Sequence, residues 1–280
     1  MFTLALTSCS AAQPIEAGKV VWGRELEAAL ATSKASGKPV FALFQEIPGC
    51  AGCQQFGREV LSNPLLVEAI EAEFTPLLIH NNKGGKDAEV LKRFGEPAWN
   101  YQVVRFLNAE AQDIIPRKDQ VWDTGGIAER MIATLEKAKR PVPAYLRILA
   151  TEHSSGLKQA VFSMFCFWTG EMALGQLDGV VTTEAGFMGG REVVLVHYDP
   201  AVISLPQLTA AAEKADCQPM QSNEAYRPAP ADDQKKQQSG TALAKLSLSP
   251  AQATKVNAWL RVDTGKALSF LTPSQKARLR

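Results

Sequence analysis

The chain has 280 residues, which is enough for two modest domains that each bury their own core. Its 30 basic and 29 acidic residues leave a formal charge of +1, which argues against a nucleic-acid partner. Apolar runs stay shorter than the ~18 residues that a membrane-spanning helix needs, so no transmembrane segment is predicted.

Residues 1–18 contain the first of five cysteines. Leu6-Thr7-Ser8-Cys9 resembles the lipobox of bacterial lipoproteins, in which the cysteine is acylated after cleavage. This interpretation makes residues 1–18 a signal and tether, with Cys9 as the lipidation site and the cell envelope or periplasm as the location. The segment lacks a basic start and its apolar part is short, so an incidental cysteine in a cytoplasmic protein is the alternative.

Residues 19–142 alternate between helix-like and strand-like patterns. A helix begins near Trp22 and ends at Gly37-Lys38-Pro39, and the apolar run 40–44 is typical of a strand buried on both faces. Further helices are predicted at 54–61, 64–74 and 127–139, and further strands at 75–80, 103–107 and 113–115. This order predicts an α/β domain.

A pair of cysteines, Cys50 and Cys53, follows the first buried strand at its junction with a helix. Two intervening residues place Cys50 at the helix start, where unpaired backbone N–H groups favour the thiolate. Cys53 then lies one turn further in and can resolve a mixed disulfide. A structural disulfide and half of a zinc site are the alternatives. Zinc needs two further thiol or imidazole ligands, and the three histidines are far apart in the sequence, so neither a metal nor a cofactor is predicted.

This order of elements, with C-x-x-C at the end of the first buried strand, resembles the thioredoxin fold. Ile47-Pro48-Gly49-Cys50 is similar to the cysteine form of a thioredoxin-like group that carries Val-Pro-Gly-selenocysteine. The resemblance implies thiol–disulfide exchange. One departure concerns the cis-proline that thioredoxins place before the strand at 103–107. This chain has Tyr101-Gln102 there, so either Pro97 serves from a longer loop or the substrate-facing wall differs.

Residues 143–230 form the second predicted domain, because Pro141-Val142-Pro143 cannot continue the preceding helix. Cys166 lies where a strand gives way to a helix, and the helix dipole favours its thiolate. Strands are predicted at 160–165, 180–185 and 192–198, and helices at 167–177 and 205–215. This β-α-β-β-α order is typical of ferredoxin-like α+β folds.

Four motifs follow one another in this segment. They are Cys166-Phe167-Trp168, Gly179-Val180-Val181-Thr182-Thr183, Gly186-Phe187-Met188-Gly189-Gly190 and Tyr198-Asp199-Pro200. In this combination they resemble the A-type peptide methionine sulfoxide reductases. The resemblance implies a ferredoxin-like α+β domain, oxidised proteins or peptides carrying methionine (S)-sulfoxide as substrate, and an upstream thiol reductant as partner.

The same resemblance implies roles for individual residues. Cys166 matches the nucleophile that attacks the sulfoxide sulfur, and Glu192 matches the glutamate that protonates the sulfoxide oxygen. Tyr226 matches the tyrosine that hydrogen-bonds this oxygen. The aromatic residues of the motifs match the substrate-binding pocket: Phe167, Trp168 and Phe187.

Attack on a sulfoxide leaves a sulfenic acid on the cysteine, which a second thiol condenses with to form a disulfide. Cys217 is a candidate for this resolving thiol, and the thioredoxin-like domain is another. The chain also departs from the reductases. Phe165 and Thr169 replace the glycines that flank the motif, and Arg191 alone stands where the family has a long loop with a further active-site tyrosine. A shallower pocket is expected.

Each of these residues also has a plain structural interpretation. Phe167 and Trp168 could be core aromatics, Cys166 an inert thiol, and Cys217 a helix-terminal bystander; Glu192 could cap a strand and Tyr226 could lie on the surface. The rival functions are a disulfide reductase or thiol peroxidase centred on Cys50 with a degenerate second domain, and a non-enzymatic envelope protein with two interaction modules.

The remaining residues are predicted to carry no chemistry. Residues 231–247 are polar and lack periodicity, which predicts a linker. Residues 248–280 contain two helix starts, Ser249-Pro250 and Thr272-Pro273, in which a hydroxyl cap precedes a proline. A small helical appendage is therefore expected at the end of the chain.

Overall fold

The computed structural model describes residues 13–99, 102–221 and 223–279. Its contacts divide the chain into two compact units, with the division between Asp123 and Thr124. Cys9 lies outside the described residues, so its lipidation stays a prediction. Within the described ranges, no helix has the length and apolar character that crossing a membrane requires.

The first unit is built on a three-stranded sheet with the order β2-β1-β3. The central strand β1 is buried along its whole length, pairs in parallel with β2 and pairs antiparallel with β3. The helices and main strands of the first unit are α1 (Leu26–Ser36), β1 (Val40–Gln45), α2 (Ala51–Gln55), α3 (Pro64–Glu73), β2 (Thr75–His80), α4 (Lys86–Phe94) and β3 (Val103–Leu107).

The expected strand at 113–115 is wrong. Only Asp113 forms an isolated bridge, to Leu107, and Ile114 N donates one hydrogen bond to Phe106 O. The apolar run is short and Pro116, which has no N–H group, follows it at once, so no ladder can continue. The carboxylate of Asp113 instead pairs with Arg105 of β3.

The core of the first unit contains three mutually packed aromatic rings. Phe41 lies edge-on to Phe106 at a centroid distance of 5.3 Å and to Phe74 at 6.1 Å, and all three are at most 1% exposed. Such edge-to-face pairs add to the free energy gained by burying the rings. The cluster anchors β1, whose end leads directly to Cys50.

We expect Phe106→Ala to lower the free energy of unfolding of this unit by about 3–5 kcal/mol, because it leaves a cavity at the centre of the cluster. Equilibrium urea unfolding of the full-length protein checks the value. Trp99→Ala is the control, since that ring is 77% exposed and its loss should cost less than about 0.5 kcal/mol. Equal losses in the two variants would contradict the proposed core.

The second unit is built on a five-stranded antiparallel sheet with the order β7-β4-β6-β5-β8. Helices α7 and α8 cover one face of it through a core that includes Phe162, Leu174, Val194 and Leu208. Its elements up to the last strand are α5 (Thr124–Lys137), α6 (Ala144–Glu152), β4 (Lys158–Ser163), α7 (Phe167–Gly175), β5 (Val180–Met188), β6 (Arg191–Tyr198), α8 (Leu205–Glu213), β7 (Gln218–Pro219) and β8 (Arg227–Pro228).

The boundary between the units differs from the one expected at residues 142 and 143. Helix α5 packs against α6, and an ion pair of 2.8 Å joins Arg147 to Glu136 across this pair. The helix predicted to close the first domain therefore belongs by its contacts to the second unit.

The segment 231–247, expected to be a linker, is packed against the second unit. It forms three short turns, Ala231–Asp233, Lys236–Gln238 and Ala242–Lys245. Between the first two, Gln234 Nε2 donates to Ala185 O of β5 at 2.7 Å, and Lys235 N donates to Glu171 of α7 at 2.9 Å. Hydrogen bonds from Gln234 and Lys235 therefore attach this segment, which has few apolar residues, to the rest of the second unit.

The predicted helix starts at the end of the chain are confirmed. Ser249 and Thr272 each form a capping box with the glutamine three residues later. The helices are α9 (Pro250–Trp259), α10 (Thr264–Ser269) and α11 (Pro273–Ala277). Lys255 of α9 donates to Gly175 O at 2.9 Å and to Leu177 O at 3.0 Å, so this appendage satisfies the carboxyl end of α7.

Candidate functional site

In the first unit, Cys50 is the residue that caps α2, and Cys53 lies inside the first turn of this helix. Their Sγ atoms are 3.6 Å apart, and both thiols are free. Cys50 is exposed and Cys53 is fully buried. The structure thus presents one sulfur to solvent with the other immediately behind it.

The two thiols differ in acidity. The backbone N–H group of Cys53 lies near the Cys50 sulfur and lowers the pKa of the Cys50 thiol below its ordinary value. Burial raises the pKa of Cys53 to about 12. Of the two thiols, Cys50 is therefore the one that ionises more readily.

Hydrogen bonds from outside the motif hold the loop that delivers Cys50. The buried amide of Gln45 donates to Glu16 O at 3.0 Å and to Cys53 O at 3.2 Å. Gly49 N donates to the carboxylate of Glu16 at 2.9 Å. Gly57 permits this arrangement, because a Cβ there would lie 1.9 Å from Ile15 O and would push away the turn that carries Glu16.

Gln102 directly precedes β3, at the position where the thioredoxin resemblance predicts a cis-proline. The residue adopts a φ of 59° and is 5% exposed, and its Nε2 group has no partner among the described residues. A Cβ built on Gly52 would lie 3.3 Å from this Nε2 and 3.7 Å from Cys50 Sγ. The cis peptide bond found in the described ranges is Ile47-Pro48, so Pro97 does not take over that role.

A carboxylate that the sequence reasoning missed also lies at this site. Glu46 follows β1 directly, is half-buried, and places a carboxylate oxygen within 4.8 Å of both Cys50 Sγ and Cys53 Sγ. Glu46 is a carboxylate, whereas the sequence-based assessment of zinc rests on thiol and imidazole ligands. An acidic residue four positions before a cysteine would have been the signal.

We expect Cys50 to react with iodoacetamide at least ten times faster than Cys53 or Cys217 at pH 7, because it is exposed and has the lower pKa. The measurement is a short alkylation pulse on the reduced protein with a chelator present, followed by peptide mass spectrometry. Comparable labelling of Cys50 and Cys53 would contradict the assignment of the attacking thiol.

In the second unit, Cys166 is the residue that caps α7, and Glu192 lies against the start of the same helix. Phe167 N donates to Glu192 Oε2 at 2.8 Å. Glu192 stands opposite Phe187 in the β5–β6 ladder, and its carbonyl accepts a hydrogen bond from Met164 N at 3.3 Å. A carboxylate is thereby fixed one residue from the half-exposed thiol of Cys166.

The three aromatic residues expected in the pocket do lie together. Phe167 lies edge-on to Phe187 at a centroid distance of 5.5 Å and to Trp168 at 6.0 Å. Phe167 is buried and Trp168 is half-buried. The indole N–H group of Trp168 has no acceptor within the described part of the chain. Phe165, immediately before Cys166, is 100% exposed.

The packed segment after residue 231 covers part of this aromatic cluster. The ammonium group of Lys236 lies 4.6 Å from the centre of the Trp168 ring. Lys235 forms an ion pair of 2.5 Å with Glu171, whose side chain is fully buried. A segment expected to be free of chemistry thus contacts the ring of Trp168, two residues after Cys166.

Two residues with expected roles have other partners in the structure. The Tyr226 hydroxyl donates to Ala185 O at 3.0 Å and to Glu184 O at 3.3 Å, and burial raises its pKa. Cys217 is 1% exposed and its thiol donates to Ala215 O at 3.3 Å. Burial raises the pKa of Cys217 to about 11. Backbone carbonyls thus hold both groups in the structure, and their catalytic roles stay predictions.

The family comparison agrees with the architecture of the first unit. Residues 21–109 match the thioredoxin-like family, so this part of the chain is a thioredoxin-like domain.

Among solved structures, a thioredoxin from Thermus thermophilus has a TM-score of 0.37 and 22% identity, and covers 42% of this chain and 89% of its own. The DsbH oxidoreductase has a TM-score of 0.35 and 17% identity, and covers 47% of this chain and 92% of its own.

Curated proteins that resemble this chain in sequence are named as peptide methionine sulfoxide reductases. Peptide methionine sulfoxide reductase MsrA 1 of Rhizobium meliloti (strain 1021) is 38% identical over 79 residues, which are 22% of this chain and 36% of that protein. Peptide methionine sulfoxide reductase MsrA of Brucella ovis is 39% identical over 72 residues, which are 20% of this chain and 33% of that protein. The chain spans about a third of the length of the curated relatives it matches.

Proposed function

We propose that the protein is a thiol-dependent oxidoreductase that reduces peptide methionine (S)-sulfoxide at Cys166. The observation that carries this proposal is the contact between Glu192 and the backbone N–H group of Phe167, which fixes a carboxylate next to the residue that follows Cys166, itself at the N-cap position of a helix. The short match to methionine sulfoxide reductases and the aromatic cluster around Phe167 support it.

The topology of the second unit is consistent with this proposal. Its first four strands in chain order are β4, β5, β6 and β7. In the sheet they lie in the order fourth, first, third, second, that is β7-β4-β6-β5. This is the strand order of the ferredoxin-like α+β arrangement, with α7 and α8 as its two helices. Cys166 lies at the end of the first of these strands, where a helix begins.

In the proposed reaction, the Cys166 sulfur takes the oxygen from the substrate. The thiolate attacks the sulfoxide sulfur, Glu192 donates a proton to the oxygen, and methionine leaves as Cys166 becomes a sulfenic acid. A second thiol then attacks this sulfenic acid, which forms a disulfide and releases water. An upstream dithiol reduces that disulfide and becomes oxidised itself.

The structure favours a change in the remaining roles. Tyr226 donates to the backbone of β5, so we propose that Glu192 alone binds the sulfoxide oxygen. Cys217 is buried among apolar side chains, and so the Cys50–Cys53 pair is the better candidate for resolving the sulfenic acid. A shared chain raises the effective concentration of that pair to roughly the millimolar range.

We expect wild-type protein to reduce a methionine-(S)-sulfoxide peptide with dithiothreitol as reductant, and Cys166→Ser to lose this activity. Glu192→Gln should lower the rate by about 10²–10⁴-fold, since a positioned proton donor contributes that much. Cys217→Ser is the matched control and should keep most of the rate with this external reductant. Quantifying methionine by chromatography provides the readout, and equal turnover by wild type and Cys166→Ser would refute the proposal.

A second function is favoured by the exposed thiol of Cys50 with Cys53 directly behind it. This geometry suits a disulfide reductase, or a thiol peroxidase, that works without the second unit. In an insulin-reduction assay, Cys50→Ser would then abolish activity and Cys166→Ser would leave it unchanged. The location in the cell envelope, proposed from Cys9, is independent of this choice.

We expect Lys236→Ala to lower the KM for the peptide substrate by about 2–5-fold, because the cation–π contact with Trp168, worth ~0.5–1 kcal/mol, has to open when the substrate methyl group enters. Lys236→Arg keeps the cation and is the control. Initial rates over a range of peptide concentrations give the KM values. An increased KM in Lys236→Ala would instead identify the lysine as a substrate contact.

A further inference from the structure

Glu46 has no role in the proposed disulfide chemistry, although it is one of the groups nearest to the two sulfurs. Its carboxylate oxygen, Cys50 Sγ and Cys53 Sγ all lie within 4.8 Å of one another. A carboxylate at this distance repels both thiolates, which disfavours the reactive form of the motif. The same charge would stabilise the site if a cation bound there.

The separation of the two sulfurs is compatible with a shared metal ion as well as with the S–H···S contact of a reduced dithiol. A tetrahedral zinc ion with Zn–S bonds of about 2.3 Å places its two sulfurs about 3.8 Å apart. The observed separation is 3.6 Å, so Cys50 and Cys53 could bind one zinc ion with almost no movement. A disulfide requires the sulfurs to approach to about 2.05 Å.

Glu46 can complete the set with a small rotation. A zinc–carboxylate bond is about 2.0–2.2 Å, which brings the oxygen to roughly 3.5 Å from each sulfur. The side chain of Glu46 is half-buried and directly follows β1, so its base is held by the sheet while its carboxylate retains some freedom. Cys50 is exposed, and solvent can therefore reach the fourth position.

We propose that the reduced protein binds one zinc ion through Cys50 Sγ, Cys53 Sγ and a carboxylate oxygen of Glu46, with water in the fourth position. Two thiolates and one carboxylate are a donor set that suits Zn²⁺. Binding releases the two thiol protons to solvent and involves no electron transfer. Because each sulfur is either bound to zinc or part of the disulfide, the site is present in the reduced protein and absent from the oxidised one.

This inference goes beyond the proposed function and holds whether or not the chain reduces methionine sulfoxide. It gives the first unit a second state in which the dithiol is protected from oxidation. Two neighbouring thiols alone bind metals weakly. The carboxylate of Glu46 is the third ligand that distinguishes the proposed site from such a pair.

The test is calorimetric titration of Zn²⁺ into the reduced, full-length protein without oxygen or chelator. Wild type should bind one ion per chain at this site, and Glu46→Gln should weaken binding at least tenfold, since loss of even an outer-sphere group costs about 10–100-fold. Glu59→Gln is the matched control, because that carboxylate is exposed and bonds to Gln55. Cys53→Ser should abolish binding, and so should prior oxidation to the disulfide.

Co²⁺ supplies an independent readout that does not depend on affinity alone. Its absorption should show thiolate-to-cobalt charge transfer and the intense visible bands of tetrahedral cobalt, both lost in Cys53→Ser. Glu46→Asp covers the case in which Glu46→Gln fails to fold, and should bind more weakly than wild type. Undiminished zinc affinity in Glu46→Gln, absence of binding by reduced wild type, or binding that persists in the disulfide form would each overturn the proposal.

Discussion

The first backbone N–H groups of a helix have no partner inside the helix, and both candidate sites depend on how these groups are satisfied. In the first unit an N–H group of α2 is directed at sulfur and lowers the pKa of Cys50. In the second unit the first N–H group of α7 donates to Glu192. One constraint thus lowers the pKa of a thiol in the one site and fixes the carboxylate of Glu192 in the other.

This difference separates the two chemistries. Cys50 has a second thiol 3.6 Å away and an exposed position, which suits exchange with another disulfide. Cys166 has a carboxylate and an aromatic cluster instead, which suits an uncharged, methyl-bearing substrate whose oxygen needs a proton. The Tyr226 hydroxyl is bonded to β5, and the buried N–H group of Trp168 has no acceptor among the described residues.

The sequence patterns predicted the main elements because those elements are local. The apolar run at 40–44 is the central strand of its sheet, and Cys50 and Cys166 each cap a helix as expected. Failures occurred where local pattern carries little information. A short apolar run ending at Pro116 does not extend the sheet, and a polar stretch around Lys235 packs by hydrogen bonds and an ion pair that composition does not reveal.

The sequence by itself determined where the reactive thiols lie along the chain and which side chains flank them, since strand-to-helix junctions follow from nearby residues. Tertiary structure alone decided what faces those thiols. Glu46 beside both sulfurs, Gln102 over the motif, Glu192 on Phe167 and Lys236 on Trp168 are contacts set by the folded backbone. Their partners are brought together by turns, register and packing, and apart from the short spacing between Glu46 and Cys50 the sequence carries no local signal for them.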